Sequence, residues 1–139
     1  MKAFTDLEVA KSFHGHLGPN LIIGIKMGNR AVAELSPETC FQLTADVHCP
    51  EMPPSSCVID GIQLSTGCTM GKRNIRHTAT PGEIRAVFTN TAAGRSVALK
   101  VRDDFVEQAA RWLKEFGDEK ASRMCWEADD GEVFTACST

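Results

Sequence analysis

The sequence predicts an α+β domain, an antiparallel sheet packed against helices, and two observations carry that prediction. Apolar residues recur at helical spacing in three separate stretches. Short runs rich in β-branched and aromatic residues lie between them, several parted by Pro81-Gly82 and Ala93-Gly94, and these read as strands joined by turns. At 139 residues the chain falls within the size of one domain. No repeat, linker or low-complexity tract divides it, so a single core is expected, with residues 5–117 as the body and 118–139 as a C-terminal extension.

Pro19 opens the first long helix, because its missing N–H falls where no intrahelical partner exists. Leu21, Ile22, Ile25, Val32 and Leu35 give that helix one apolar face. Gly24 and Gly28 lie four residues apart on it and leave a flat stripe, expected to be buried under another helix or at a subunit interface. Ser36-Pro37 breaks the helix. From Thr39 to His48, Phe41, Leu43, Ala45 and Val47 alternate as on a half-buried strand, which Pro50, Pro53 and Pro54 terminate. Pro54-Ser55-Ser56 starts a second, shorter helix whose apolar residues are Val58, Ile59, Ile62 and Leu64, with Gly67 at its end. Three strands follow, Asn74 to Thr78, Glu83 to Thr89 and Ser96 to Val101, most economically arranged as an antiparallel meander. Asp103 or Asp104 begins a third helix carrying Phe105, Ala109, Trp112 and Phe116, and Gly117 closes it. The tail reads as a helical turn followed by a hairpin at Asp129-Asp130-Gly131.

Composition narrows the function. A net charge of -3 without any basic stripe argues against a nucleic-acid surface. The first residues carry Asp6 and Glu8 where an export signal needs an apolar run. The most apolar stretch, Leu21 to Leu35, is broken by Lys26, Asn29, Arg30 and Glu34, so it does not span a bilayer. A soluble, cytoplasmic protein is expected, and its six cysteines are then thiols, either small buried hydrophobes or metal ligands and nucleophiles, rather than a disulfide framework.

The stretch His14-Gly15-His16-Leu17-Gly18-Pro19 is the most informative. Two imidazoles flanking a glycine in a turn before a helix can converge on one transition-metal ion. If the first long helix descends, the strand returns and the second helix descends again, both helices begin at one rim of the domain. Cys57, in the first turn of the second helix, then faces the histidine pair, where the positive end of the helix dipole favours thiolate. Cys49 and His48 end the strand at the same rim. A ligand set of His14, His16 and Cys57, with Cys49 as the fourth candidate, suits zinc and also accepts nickel or iron. Asp60, one turn beyond Cys57, is placed to orient a ligating histidine. Cys68 is separated from Cys57 by roughly 16 Å of helix and belongs elsewhere. It sits in the loop Gly67-Cys68-Thr69-Met70-Gly71-Lys72, which resembles an anion-holding turn but lacks the spacing of a nucleotide-binding P-loop. Cys125 and Cys137 lack any CxxC pairing and are assigned to packing.

Taken in order, Phe13-His14-Gly15-His16-Leu17, Cys57-Val58-Ile59-Asp60-Gly61-Ile62-Gln63 and Thr66-Gly67-Cys68-Thr69-Met70-Gly71-Lys72 make the chain resemble the family of formylmethanofuran dehydrogenase E-type subunits over its first two-thirds. The resemblance implies an α+β core, a homodimer, metal or cysteine chemistry at the first two blocks, and association with oxidoreductase subunits of one-carbon metabolism. Members of that family commonly read His-Gly-His-x-Cys-Pro, and Gly18 stands here where that cysteine would be. Longer members add a cysteine-rich zinc finger that this tail does not contain. A metal-binding protein is the leading expectation; Asp60 and Lys72 would assist a catalytic ion, and Cys57 and Cys68 are the candidate reactive thiols. The competing expectations are an accessory module that docks a partner on the Gly24/Gly28 face, and a thiol-redox protein using Cys57 or Cys68.

Overall fold

The computed structural model describes residues 1–139 as helices packed on a five-stranded sheet, an α+β fold. A helix that the periodicity did not suggest comes first: α1, Leu7–His14. Asp6 caps it, its Oδ1 accepting the Val9 N–H at 3.1 Å. Gly15 ends it in the left-handed region, φ 103°, and donates its N–H to the Lys11 carbonyl at 2.8 Å. The glycine between the two histidines is therefore a helix C-cap.

Helix α2, Pro19–Leu35, has the predicted bounds and is buried on nearly all sides, including Ile22, Ile23 and Met27. That is the burial of a central helix. On one side it meets the antiparallel neighbours β3, Arg85–Asn90, and β4, Arg95–Val101, and β3 pairs in turn with strand β1, Leu43–Cys49. Burial alternates strictly along β1 and β3, so only one sheet face is covered. Phe88, Val47, Leu43 and Leu99 are among the sheet's larger contributions to the core.

On another side α2 meets α3, Val58–Thr66, which follows a single 3₁₀ turn over Ser55–Cys57. A Cβ at Gly24 would collide with the Val58 carbonyl, one at Gly28 with Ser65 and Thr66, and one at Gly61 with Leu21 and Ile25. Residues later in α2 meet residues later in α3, so the two helices run in the same direction, backbone against backbone. The small-residue stripe is thus filled within the chain, and the expectation of a partner docked on Gly24 and Gly28 is corrected: no room remains there.

The meander also needs correction. β2, Ile75–Ala79, lies outside β1 and runs parallel to it, giving the order β2-β1-β3-β4-β5. The cause is α3, which carries the chain back to the end where β1 began, so the next strand repeats β1's direction. Only Ile75 of β2 is buried, as suits an edge strand.

The tail contains no hairpin at Asp129-Asp130-Gly131. After α4, Asp103–Phe116, comes α5, Asp118–Glu127, and then Asp129 and Glu132 form a reciprocal capping box that starts α6, Asp130–Val133. Strand β5, Phe134–Ala136, then adds antiparallel to β4. Lys26 of α2 secures this extension by donating to the carbonyls of Trp126 at 2.9 Å and Ala128 at 2.7 Å. No helix is long and apolar enough to cross a membrane.

Candidate functional site

The parallel course of α2 and α3 brings the α1–α2 turn to the first turn of α3. His14 Nδ1 lies 2.6 Å from Asp60 Oδ2, and the imidazole is largely buried, with 10% of its side chain exposed. His16 Nδ1 lies 2.9 Å from the Leu17 carbonyl and 3.1 Å from Asp118 Oδ2. Carboxylates and carbonyls only accept, so Nδ1 carries the proton in each ring and, in the neutral imidazole, Nε2 keeps its lone pair. The two ring centroids stand 5.0 Å apart at 36°. Two imidazoles are held side by side, each with one nitrogen engaged and the other free to accept a proton or bind an ion.

Glycines make this turn. Gly15 turns the chain at φ 103°, and Gly18, in ordinary extended backbone, leaves space beside the His16 ring; a Cβ there would stand 3.3 Å from Cε1.

Cys57, the residue before α3, shares the first turn with Asp60 and is partly buried. Its thiol is pushed above its ordinary range, first by burial and then by the Asp60 carboxylate. This reverses the thiolate expected from the helix dipole: desolvation and a nearby negative charge outweigh a partial charge at the terminus of a short helix. Cys49 is fully buried and turned toward His77, Sγ to Nε2 3.4 Å, with the same Nε2 3.0 Å from the Cys49 carbonyl. Burial pushes the Cys49 thiol up to about 11. The parallel β1–β2 pairing, unforeseen from sequence, makes that contact. His48, next along the strand, faces the opposite side of the sheet.

Cys68 and Lys72 stand at the far end of α3. Cys68 is buried, and its thiol is raised chiefly by that burial; the Thr66 hydrogen bond and Lys72 pull it down, and Cys40 pushes it up. Lys72 Nζ reaches Thr69 Oγ1 at 3.2 Å and is exposed. Of the expected site residues, the structure pairs His14 with Asp60, sets His16 beside His14 and places Cys57 one turn before Asp60, whereas Cys49 contacts His77 and Cys68 and Lys72 stand at the far end of α3. No group of three or more His, Cys, Asp or Glu side chains is placed to hold a metal ion as the chain stands.

Asp118 was not foreseen. It opens α5, 102 residues from its partner His16, and no local pattern marks it. Lys11 and Glu119, 3.7 Å apart, run alongside as a second tie between α1 and α5.

Comparison with known proteins adds a lineage. Residues 13–135 match the family described as "FmdE, Molybdenum formylmethanofuran dehydrogenase operon". A relative from Archaeoglobus fulgidus, described as a "Probable S-adenosyl-L-methionine-binding protein", is 26% identical over 142 residues, a match taking in 83% of this chain and 37% of that protein. The chain thus spans little more than a third of the relative's length.

Proposed function

This chain belongs to the FmdE family, and from that premise we propose that it is a metal-binding module of FmdE type. Nε2 of His14 and Nε2 of His16 hold a divalent transition ion, zinc before nickel or iron, with Cys57 the third donor. The observation that carries the reading is the 2.6 Å bond between His14 Nδ1 and Asp60. A ligating histidine characteristically gives its other N–H to a carboxylate or carbonyl, which fixes the tautomer and the ring. Here Asp60 does so for His14, and the Leu17 carbonyl with Asp118 does so for His16.

Bound there, the ion would supply Lewis-acid polarisation of a small carbonyl or activation of water. The chain's own part is to hold the Nδ1 protons at Asp60 and Leu17, so that the lone pair of each neutral ring lies on Nε2, and to shelter His14 from bulk water. Lys72, at the other end of α3, takes no part at this rim. The raised thiol of Cys68 speaks against a thiol-redox role there, because the thiolate is the nucleophile, and Cys57, raised in the metal-free chain, would become thiolate only with the ion bound. In the same reading the protein works as a cytoplasmic homodimer beside oxidoreductase subunits of one-carbon metabolism; the family description, which names a formylmethanofuran dehydrogenase operon, supports the last of these alone.

Titration of metal-free protein with zinc and with cobalt(II), followed by calorimetry and by cobalt absorption, tests the proposal. One ion per chain is expected, with binding abolished in His16→Ala/Cys57→Ala and weakened about 10- to 100-fold in Asp60→Asn. Unchanged affinity in the double variant sinks it. S-adenosyl-L-methionine, the ligand in the relative's name, is titrated in parallel; saturable binding without any metal uptake would favour a small-molecule-binding module instead.

A further inference from the structure

Beside the histidine turn, on the flank of α3, lies a cleft of about 220 Å³ lined by Phe13, Gln63, Leu64, Thr69, Met70 and Gly71. It begins one residue before His14 and one helical turn beyond Asp60. Two of the chain's most exposed large apolar side chains border it, Phe13 at 55% and Met70 at 59%. Scattered single apolar residues on a surface need no explanation, but two facing one concavity are the lining expected of a binding site. The far wall is braced rather than loose: Gln63 Oε1 accepts the Met70 N–H at 3.2 Å, and Asn74 Oδ1 accepts the Thr69 N–H at 2.9 Å. Lys72 holds its ammonium 3.2 Å from the hydroxyl of Thr69, a lining residue, and Arg73 follows it.

We infer that this cleft is the subsite for a small molecule carrying one flat apolar group and one anionic group, the ring seated between Phe13, Leu64 and Met70 and the anion on Lys72. The volume decides how much enters. Sites that enclose a drug-sized ligand run to about 300–1,000 Å³, so about 220 Å³ takes a single ring system or a short apolar arm. The remainder of the molecule stays outside, within reach of the His14–Asp60 pair at one end. The inference rests on the metal-site reading only for that last clause, which says which way the ligand points. A carboxylate and a phosphate would serve Lys72 equally by charge, and the shared feature is the anion.

Two-dimensional amide NMR of metal-free protein, titrated with 3-phenylpropionate, phenyl phosphate, 3-phenylpropan-1-ol and acetate, tests the inference. The ring-bearing probes are expected to give saturable shifts confined to the amides of Gln63, Leu64, Met70 and Gly71, and acetate none. Lys72→Gln should weaken the two anionic probes about two- to fivefold, the range of an exposed ion pair, and leave the alcohol alone. The ratio of propionate to phosphate affinity identifies which anion the site prefers. Phe13→Ala should weaken every ring-bearing probe, and because Phe13 is more than half exposed the variant remains folded. The same titrations in His16→Ala should be unchanged, which separates this subsite from the metal reading. Absence of saturable shifts in the cleft, or equal weakening of the alcohol by Lys72→Gln, overturns the inference and leaves the cleft as a seat for a side chain of a partner protein.

Discussion

Replacing Gly61 by alanine tests the backbone contact on which the site depends. In an isolated helix the change would gain about 1 kcal/mol, since glycine is the poorer helix former. In this fold a Cβ at position 61 stands 2.6 Å from the Ile25 nitrogen and 2.8 Å from the Gly24 carbonyl carbon, with the Leu21 carbonyl closer still. Ordinary contact begins at 3.4 Å, so α2 and α3 must part by at least about 0.8 Å, the difference between 3.4 and 2.6, with the Leu21 carbonyl asking for more. A gap of that size forfeits roughly a quarter to a half of each van der Waals contact across the interface. Leu21, Ile22, Ile25, Val58 and Ile62 all lose by it. Overpacking against an element that can yield costs about 1–3 kcal/mol, and backbone against backbone belongs at the upper end. Subtracting the propensity gain leaves about 2 kcal/mol of destabilisation, or roughly 6–8 °C in Tm for a chain of 139 residues. Thermal unfolding followed by circular dichroism measures it, with Gly131→Ala, where a Cβ meets nothing within 4 Å, as the control. A Gly61→Ala protein as stable as the parent would refute the parallel, close-packed arrangement of α2 and α3 and, with it, the meeting of His14 and Asp60.

Gly18→Cys places a thiol beside His16, since the backbone there is extended (φ -146°, ψ 149°) and a Cβ needs only a few tenths of an ångström of yielding from Cε1. Zinc affinity is expected to rise at least about tenfold, measured by competition with a chelator, and no rise would count against this rim as a metal site. Alkaline stability should be governed by buried thiols: Cys49 is pushed up to about 11 and Cys125 to about 12, against an ordinary value of 9.0. Between pH 9 and those values the folded chain holds protons that the unfolded chain releases, so stability is full below pH 9 and falls as pH rises through the window. Urea midpoints across that range should fall less steeply in Cys49→Ala/Cys125→Ala than in the parent. Lys26→Met keeps an apolar stem and removes both donors to Trp126 and Ala128. Hydrogen exchange should quicken across residues 118–133 and stay unchanged in α3, and uniform behaviour would show that Lys26 does not fasten the extension.

What the sequence disclosed about the fold was carried by local signals. Pro19 and the spacing from Leu21 to Leu35 set α2 because the start residue and the apolar period agree. α1 escaped because it is only eight residues long and buries just Ala10 of its apolar side chains, and its true markers, Asp6 as cap and Gly15 as terminator, are short-range chemistry that also fits a loop. The placement of β2 was hidden for a different reason. Strand order depends on what α3 does in three dimensions, and a five-residue strand with one buried residue has no pattern that says which neighbour it joins. The tail misled through Asp129-Asp130-Gly131, a good turn signal that also fits a capped helix start; Glu132, three residues after Asp129, was the discriminating mark.

At the site, the meeting of the His14 turn with the first turn of α3 followed from counting reversals of the chain, and Asp60 as a carboxylate within reach of a histidine followed from its position one turn past Cys57. Ionisation of Cys57 did not follow, because the dipole is visible in sequence and desolvation is not. Nor did Asp118, whose contact with His16 exists only because α5 packs against α2 and is anchored there by Lys26. That dependence makes the extension part of the site. His14 is served by a carboxylate inside the body, His16 by one on the extension, and the Lys11–Glu119 pair ties α1 to that same extension. Anything that lifts α5 from α2 therefore leaves His14 paired with Asp60 while His16 keeps only the Leu17 carbonyl, so its ring is free to turn away from its neighbour.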